Sequence, residues 1–534
     1  MQPQPHLPLS FADDLEHNAH WFGASPAYIQ DERLITHGDL LVRARQLASA
    51  LHRAGTRRQE RVAVLAMNCI EFGEVMAATQ WGAYVLAGVN WRLAVPEIQR
   101  MLEDSRPAVL VFEAQYLPVV EQLRPQLPGI RTWVCLGGET SWATGYEAFV
   151  ATGDPAGPPQ RAREDDIACL IYTSGTTGRP KGCIWGHREY RHLAQVDAWL
   201  SGIEQTERGL IVMPMFHIGG MLISLSLHCR GGAVVLHRQF DPGAVLESLD
   251  RDRLSFLLLA PTMVQMVMEH PLIDSVKGGS LRTLMYSAAP MPLPVLEKAM
   301  AKFGDVFVNL YGQSEICMFA LTKSQHRPQG TERERRRLRS VGNPYPNLQA
   351  RIVDEQGVEC PRNVPGEITA RFVAQFRGYW NNHAATLETV RDGWIHTGDL
   401  GYVDEDGFLF LVDRKKDMVI SGGENIYSRE VEESLLRHAA VAECAVIGVP
   451  DLKWGETVCA LVVLRTGQPV PTAAELIEFS KHQIASYKKP KQVVFIERLP
   501  KLVTGKLDKK LLREQYAGQD FSQPQPQPQP DKQD

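Results

Sequence analysis

The chain has no Cys-x-x-Cys pair, and its nine cysteines stand singly between Cys69 and Cys459. That spacing offers neither a zinc site nor a disulfide framework, and it suits a reducing compartment. A strong charge of one sign is also missing. Lys and Arg number 57 against 62 Asp and Glu, a formal net charge of −5, which argues against a nucleic-acid footprint over the whole surface. The N-terminus has no basic stretch leading into an apolar core, so no secretory signal is expected and the location is expected to be cytoplasmic. One stretch, 209–229, is free of Asp, Glu, Lys and Arg over a length that spans a bilayer. It also contains Pro214, His217, Gly219 and Gly220. It therefore reads as buried core, and no transmembrane segment is expected.

What the sequence does hold is alternation. At 534 residues it is too long for one core, so two or more domains are expected. An amphipathic helix is predicted over 41–54, with strands at 61–65 and 108–112. Further strands are expected at 209–213, 233–236 and 256–259. Strands separated by helix-length segments indicate βαβ units and an α/β fold with a parallel sheet. After about residue 345 short strands appear at 349–353 and 366–372, and Asp406-Gly407 between two apolar runs signals a hairpin. Beyond Asp413 a compact α+β segment follows, with helices over 428–438 and 472–483 and strands over 441–449 and 458–464. The basic run Arg333 to Arg339 reads as a solvated or mobile loop.

The richest chemistry lies at 172–182, Tyr-Thr-Ser-Gly-Thr-Thr-Gly-Arg-Pro-Lys-Gly, directly after the apolar run 167–171. A buried strand there feeds a loop of glycines, hydroxyls and cations, the equipment for holding a polyphosphate. It is not a Walker A loop, because Pro180 stands where that motif has its second glycine. This run resembles, nearly letter for letter, the signature loop of the adenylate-forming superfamily. That superfamily contains acyl-CoA synthetases, peptide-synthetase adenylation domains and beetle luciferases, and the acyl-CoA synthetase branch fits best.

Further segments resemble the family in the same order and extend the likeness over nearly the whole chain. They are 213–220 (Met-Pro-Met-Phe-His-Ile-Gly-Gly), 287–290 (Ser-Ala-Ala-Pro), 311–315 (Tyr-Gly-Gln-Ser-Glu) and 394–400 (Trp-Ile-His-Thr-Gly-Asp-Leu). After them come 413–417 (Asp-Arg-Lys-Lys-Asp), 421–425 (Ser-Gly-Gly-Glu-Asn) and 500–506 (Pro-Lys-Leu-Val-Thr-Gly-Lys).

The resemblance implies roles residue by residue. Thr173, Ser174, Gly175, Thr176, Thr177, Gly178 and Lys181 would clasp the phosphates of ATP. Ala288, Ala289, Pro290, Tyr311 and Gly312 would hold adenine and the α-phosphate. Ser314 would donate to a phosphoryl oxygen where the family usually has threonine, and Glu315, with Thr173, would hold Mg²⁺. Asp399 and Arg414 would bind the ribose, Lys416 would be the hinge, and Gly423 would line the passage for coenzyme A. Lys506 would be the adenylation catalyst, contacting substrate carboxylate and α-phosphate as charge develops. His217 would stand beside an acyl tunnel walled by Phe216, Met221, Leu310, Gly312 and Met318.

The expected organisation is a large domain over 1–412 that ends in a small barrel-like β region, a hinge at 413–416, and a small mobile α+β domain over 417–518. A disordered Gln/Pro tail follows over 519–534. The expected reaction joins an organic acid to AMP and then to coenzyme A. A medium- or long-chain fatty acid is the first choice, because Gly312 stands where the acetate-using branch has tryptophan and the neighbouring walls are apolar. An aromatic, cinnamic-type or steroid side-chain acid is the alternative, as is loading of a carrier protein in trans. The partners are small molecules and not nucleic acid, and a homodimer stays open. The basic run 488–491 (Lys-Lys-Pro-Lys) is placed to attract the nucleotide end of coenzyme A.

Overall fold

The computed structural model describes residues 9–173, 180–205, 207–422, 424–451, 453–501 and 507–516. The chain divides into two compact units, one formed by residues 1–349 and 370–395, the other by 350–369 and 396–534.

The first unit carries the expected α/β texture as two sheets. In the smaller, Arg61–Leu65 lies between Val85–Gly88 and Pro107–Glu113, all parallel, and β1 (Ile167–Thr173) and β2 (Lys181–Gly186) close one edge as an antiparallel pair. In the larger, Ala233–Leu236, Arg208–Ile211, Phe256–Leu259, Thr283–Ser287 and β3 (Phe307–Gln313) run parallel in that order. β4 (Ile316–Leu321) then turns back antiparallel on β3. The central strands are continuous apolar runs because helices cover both of their faces. Val62, Ala63, Val64 and Leu65 are all fully buried, so neither face reads as polar.

Two features depart from the sequence reading in detail. The charge-free stretch 209–229 breaks into the end of strand Arg208–Ile211 and helix α1 (Ile218–His228). Among the described residues no helix is long and apolar enough to cross a membrane. The basic run expected as a loop contains a short helix, Glu332–Arg337. Its cause is a capping box that charge counting overlooks: Glu334 accepts from Thr331 N at 2.8 Å, and Glu334 N donates back to Thr331 Oγ1 at 3.3 Å.

In the second unit, Gln349–Val353, Gly366–Arg371, β5 (Trp394–Val403) and β6 (Leu409–Arg414) form a curved sheet, with Asp406-Gly407 in the expected turn between β5 and β6. Beyond it, Gly455–Leu464 pairs antiparallel with Val441–Asp451 and parallel with Gln492–Phe495. Helix α2 (Ser428–Leu436) and Ala473–Lys481 bury Val431, Leu435 and Leu476 against Val446 and Val458. Helix α3 (Lys509–Tyr516) buries Leu512 with Ile447, Leu461 and Val494 in a second cluster. Fully burying each such side chain is worth about 1.5–3 kcal/mol, so this small sheet holds a core of its own on each face. All nine cysteines are free thiols.

Candidate active site

In the first unit the phosphate loop springs from the β1–β2 hairpin. Thr173 and Lys181 are register partners at its mouth, and Thr173 Oγ1 reaches Lys181 O at 3.5 Å. The segment that would do most of the clasping, Ser174, Gly175, Thr176, Thr177 and Gly178, lies outside the described residues. Pro180 directs the chain into β2, whose other edge is occupied by 376–380. Ile184 N donates to Gly378 O at 3.0 Å, Arg377 N to Ile184 O at 2.9 Å, and Trp380 N to Gly182 O at 2.8 Å.

The same segment reaches the next motif. Ser314 and Glu315 are the two residues between β3 and β4, where Gln313 pairs with Ile316. A tip this tight needs its main chain held from outside. Trp185 Nε1 donates to Ser314 O at 2.9 Å, and Phe376 N donates to Glu315 O at 2.9 Å. The Glu315 side chain is held too, since the Tyr379 hydroxyl donates to Oε1 at 2.6 Å. Thr173, Lys181, Ser314 and Glu315 are thus stitched together through 376–380, which the sequence reading did not single out.

Adjoining β3, Ser287 Oγ donates to Leu310 O at 2.7 Å and carries the chain to Ala288, whose φ of 76° is left-handed. A non-glycine residue in that region is uncommon and strained, and it bends Ala289 and Pro290 outward at the carboxyl end of a parallel strand. That is where ligands bind in open α/β sheets. The Tyr311 side chain is buried with its ring 6.3 Å from that of Phe319.

The structure gives Gly312 a second reason to be glycine. A Cβ there would lie 2.8 Å from Cys317 Cα and 2.9 Å from Ile316 O, at the bulge between Tyr311 and Gly312. A larger residue therefore presses on the backbone beside Glu315, so the position governs the hairpin as well as any room for the acid. Gly312→Ala is expected to lower stability by about 1–3 kcal/mol, read from the urea midpoint.

Among the proposed acyl-pocket residues, Phe216, Met221, Leu310 and Met318 are buried. His217 is the N-cap of α1, its Nδ1 accepting from Gly219 N at 3.2 Å, which places the ring proton on Nε2. Asn68, which carried no signal in the sequence, pins the preceding turn from both sides. Its amide donates to Met213 O at 3.1 Å and accepts from Met215 N at 2.9 Å.

In the second unit Asp399 on β5 and Arg414 on β6 are register partners, with Arg414 Nε 3.1 Å from Asp399 Oδ1. Gly398, at φ 69°, lets the strand bend so that its N–H meets Glu367 Oε1 at 3.2 Å and its carbonyl accepts from Lys415 N at 2.9 Å. Lys416 is exposed, and desolvation, then the Arg414 guanidinium, hold its ammonium below the usual lysine range. Just before it, Asp413 accepts from Ser428 N and, at 3.1 Å, from Ser428 Oγ, tying β6 to the start of α2.

Gly423 and Lys506 lie outside the described residues. Gly422 has φ 62° and donates its N–H to Trp454 O at 2.8 Å. A Cβ on it would meet the Trp454 ring at 2.6 Å. That ring is 41% exposed and carries the Lys453 and Lys491 ammoniums at 4.9 and 4.6 Å from its centroid. Of the basic run 488–491, only Lys491 joins this platform among the contacts of the described residues. Lys488 is engaged by Glu430 at 2.8 Å and Lys489 by Ser486 O at 3.1 Å.

The first unit carries a strand-borne Thr/Lys hairpin and a carboxylate at a clamped hairpin tip, and the second carries an Asp/Arg pair on a curved sheet, the outline of an α/β enzyme. The chain belongs to the AMP-binding enzyme family: residues 15–380 match the AMP-binding enzyme and 430–506 its C-terminal domain. It is an AMP-forming acid–thiol ligase of the adenylate-forming superfamily. Feruloyl-CoA synthase from Amycolatopsis sp. is 35% identical over 90% of this chain and 94% of that protein. The fatty acid–[acyl-carrier-protein] ligase ScoC of Streptomyces coeruleorubidus is 34% identical over 92% and 94%. Among solved structures, the amide bond synthetase McbA of Marinactinospora thermotolerans superposes with a TM-score of 0.84 at 30% identity, over 95% of this chain and 99% of that one.

Proposed function

We propose that this enzyme activates an apolar monocarboxylic acid, aliphatic or aromatic, with MgATP and passes the acyl group to coenzyme A. The observation that carries the first half is the meeting of Thr173, Lys181, Ser314 and Glu315 on segments bonded to 376–380. A carboxylate and the α-phosphate of ATP need no protein nucleophile, so the protein contributes position and charge. Thr173, Ser314 and the loop 174–178 orient the phosphates, Lys181 faces the departing pyrophosphate, and Asp399 with Arg414 fixes the ribose. Lys506 offsets charge at the α-phosphate.

Among the described residues no group of three or more His, Cys, Asp or Glu is arranged to hold a metal ion. Mg²⁺ binds through one or two carboxylates together with substrate phosphates. Glu315 is the hard oxygen donor for it, and the metal supplies charge neutralisation at the phosphates.

For the second half, the small domain over 417–518 turns about Lys416, withdrawing Lys506 and presenting Gly423. The Lys453 and Lys491 ammoniums gathered over the Trp454 ring support coenzyme A as the thiol, because clustered cations suit its phosphates. The buried Phe216, Met221, Leu310 and Met318 favour an acid without a second charge. Both feruloyl and fatty acyl groups meet that description, so the relatives support the class and not one acid. A carrier thiol in place of coenzyme A is the second reading, drawn from the likeness to ScoC.

A panel of fatty and cinnamic-type acids, assayed for AMP release with and without coenzyme A, tests this reading. AMP release that requires both an apolar acid and coenzyme A is expected. Release that ignores coenzyme A but follows an added carrier protein would replace the ligase reading with the carrier reading.

A further inference from the structure

Tyr379 lies in none of the motif segments, yet it touches two of them. Its hydroxyl donates to Glu315 Oε1 at 2.6 Å, and the Lys181 ammonium stands 5.1 Å from its ring centroid. Its backbone is fixed on both sides, since Tyr379 N donates to Thr386 Oγ1 at 2.9 Å and Trp380 N to Gly182 O at 2.8 Å. The ring is buried, 7% exposed.

We propose that Tyr379 is a positioning residue that sets the metal-bearing carboxylate and the phosphate-loop lysine in one fixed relation. The inference rests on the reading of Glu315 as the Mg²⁺ ligand and goes beyond it. A short hydrogen bond to an ionised oxygen is charge-assisted and directional. Anchoring Oε1 fixes the carboxylate plane. The face of the same ring holds the Lys181 ammonium by its negative quadrupole. One side chain thereby spaces the two groups that must reach neighbouring oxygens of the same polyphosphate. Removing the hydroxyl should loosen metal–nucleotide binding and leave acid binding alone.

The test uses the full chain, Mn²⁺ as the metal probe and α,β-methylene-ATP as the nucleotide, with bound Mn²⁺ read by electron paramagnetic resonance. Tyr379→Phe is expected to weaken Mn²⁺–nucleotide binding about ten- to a hundred-fold, the usual cost of losing an orienting partner of a metal ligand. The KM for MgATP should rise, while the KM for the acid and the conversion of supplied acyl-adenylate with coenzyme A stay at wild-type values. Tyr379→Leu, lacking the ring as well, should further weaken binding of inorganic pyrophosphate. In a double-mutant cycle Tyr379→Phe with Glu315→Gln should cost no more than Glu315→Gln alone. Additive losses, or a Phe variant that binds Mn²⁺–nucleotide like the wild type, overturn the proposal. So does a Phe variant whose acid affinity falls in step with its metal affinity. If the wild type itself binds no Mn²⁺ with nucleotide, the metal reading of Glu315 falls first and takes this inference with it.

Discussion

Lys506→Ala is expected to lower acyl-adenylate formation by about a hundred- to a thousand-fold while leaving the conversion of supplied acyl-adenylate with coenzyme A near the wild-type rate. The size follows from the task proposed for it. A preorganised cation aimed at charge that develops in the transition state is typically worth two to three orders of magnitude. The split follows from the two half-reactions, since a lysine needed only while pyrophosphate leaves has no partner when the thiol attacks. Lys506 lies outside the described residues, and the assignment stands on its place at the end of the run 500–506. Single-turnover assays of each half-reaction decide it. Equal loss in both would refute the role and, with it, the exchange of Lys506 for Gly423 about Lys416.

The strands at 61–65, 233–236 and 256–259 were legible in the sequence because a strand covered on both faces has to be apolar throughout. The hairpin at Asp406-Gly407 was legible because its turn chemistry is local. The Asp399 and Arg414 pair was named from its motifs, and register on β5 and β6 gives it a geometric basis. What pattern could not supply were partners brought in from far along the chain. Tyr379 is 64 residues from Glu315, and Trp185 is 129 residues from Ser314. Asn68 reaches the 213–215 turn across 145 and 147 residues, and nothing local marks an asparagine as the clamp of a distant loop. Ala288 was read as part of an adenine-binding segment, but its left-handed backbone is a strain imposed from outside that no propensity predicts. The helix at Glu332–Arg337 was missed for a different reason. Its only helix signal is the capping box of Thr331 and Glu334, set in a run dominated by charge.

Lys509→Met is expected to destabilise the C-terminal sheet and its helices by about 3–5 kcal/mol. Lys509 on α3 lies 2.7 Å from Glu432 on α2, both side chains only 13% exposed, and it also donates to Ser428 Oγ at 2.6 Å. Burial opposes its charge, but the Glu432 and Asp413 carboxylates outweigh burial and raise its pKa. Glu432 in turn accepts from Val446 N at 2.8 Å, joining both helices to the sheet. Breaking such a pair costs more than the pair contributes, because one charge is left buried without a partner. A domain is stable by only about 5–15 kcal/mol, so the loss is a large fraction of what holds the second unit together. The pH dependence identifies the cause. In the wild type the folded pKa of Lys509 is above its unfolded value, so its contribution is complete below the lysine range and fades as pH rises through the raised pKa. Burial already holds the Glu432 carboxyl above its usual range in the wild type, and in the variant Lys509 no longer opposes that rise. The folded variant then binds a proton that the unfolded chain releases, so its stability should recover as pH falls into and below that raised pKa. Hydrogen exchange in Val441–Asp451 and Gly455–Leu464 reads the effect locally. Adding Glu432→Gln to Lys509→Met should restore much of the loss at neutral pH, since the buried charge is gone while an acceptor remains for Val446 N. A double variant no more stable than Lys509→Met would assign the cost to packing of the lysine stem. Because Ser428 also bonds Asp413, the single variant should slow thioester formation in proportion to the loosening of that link.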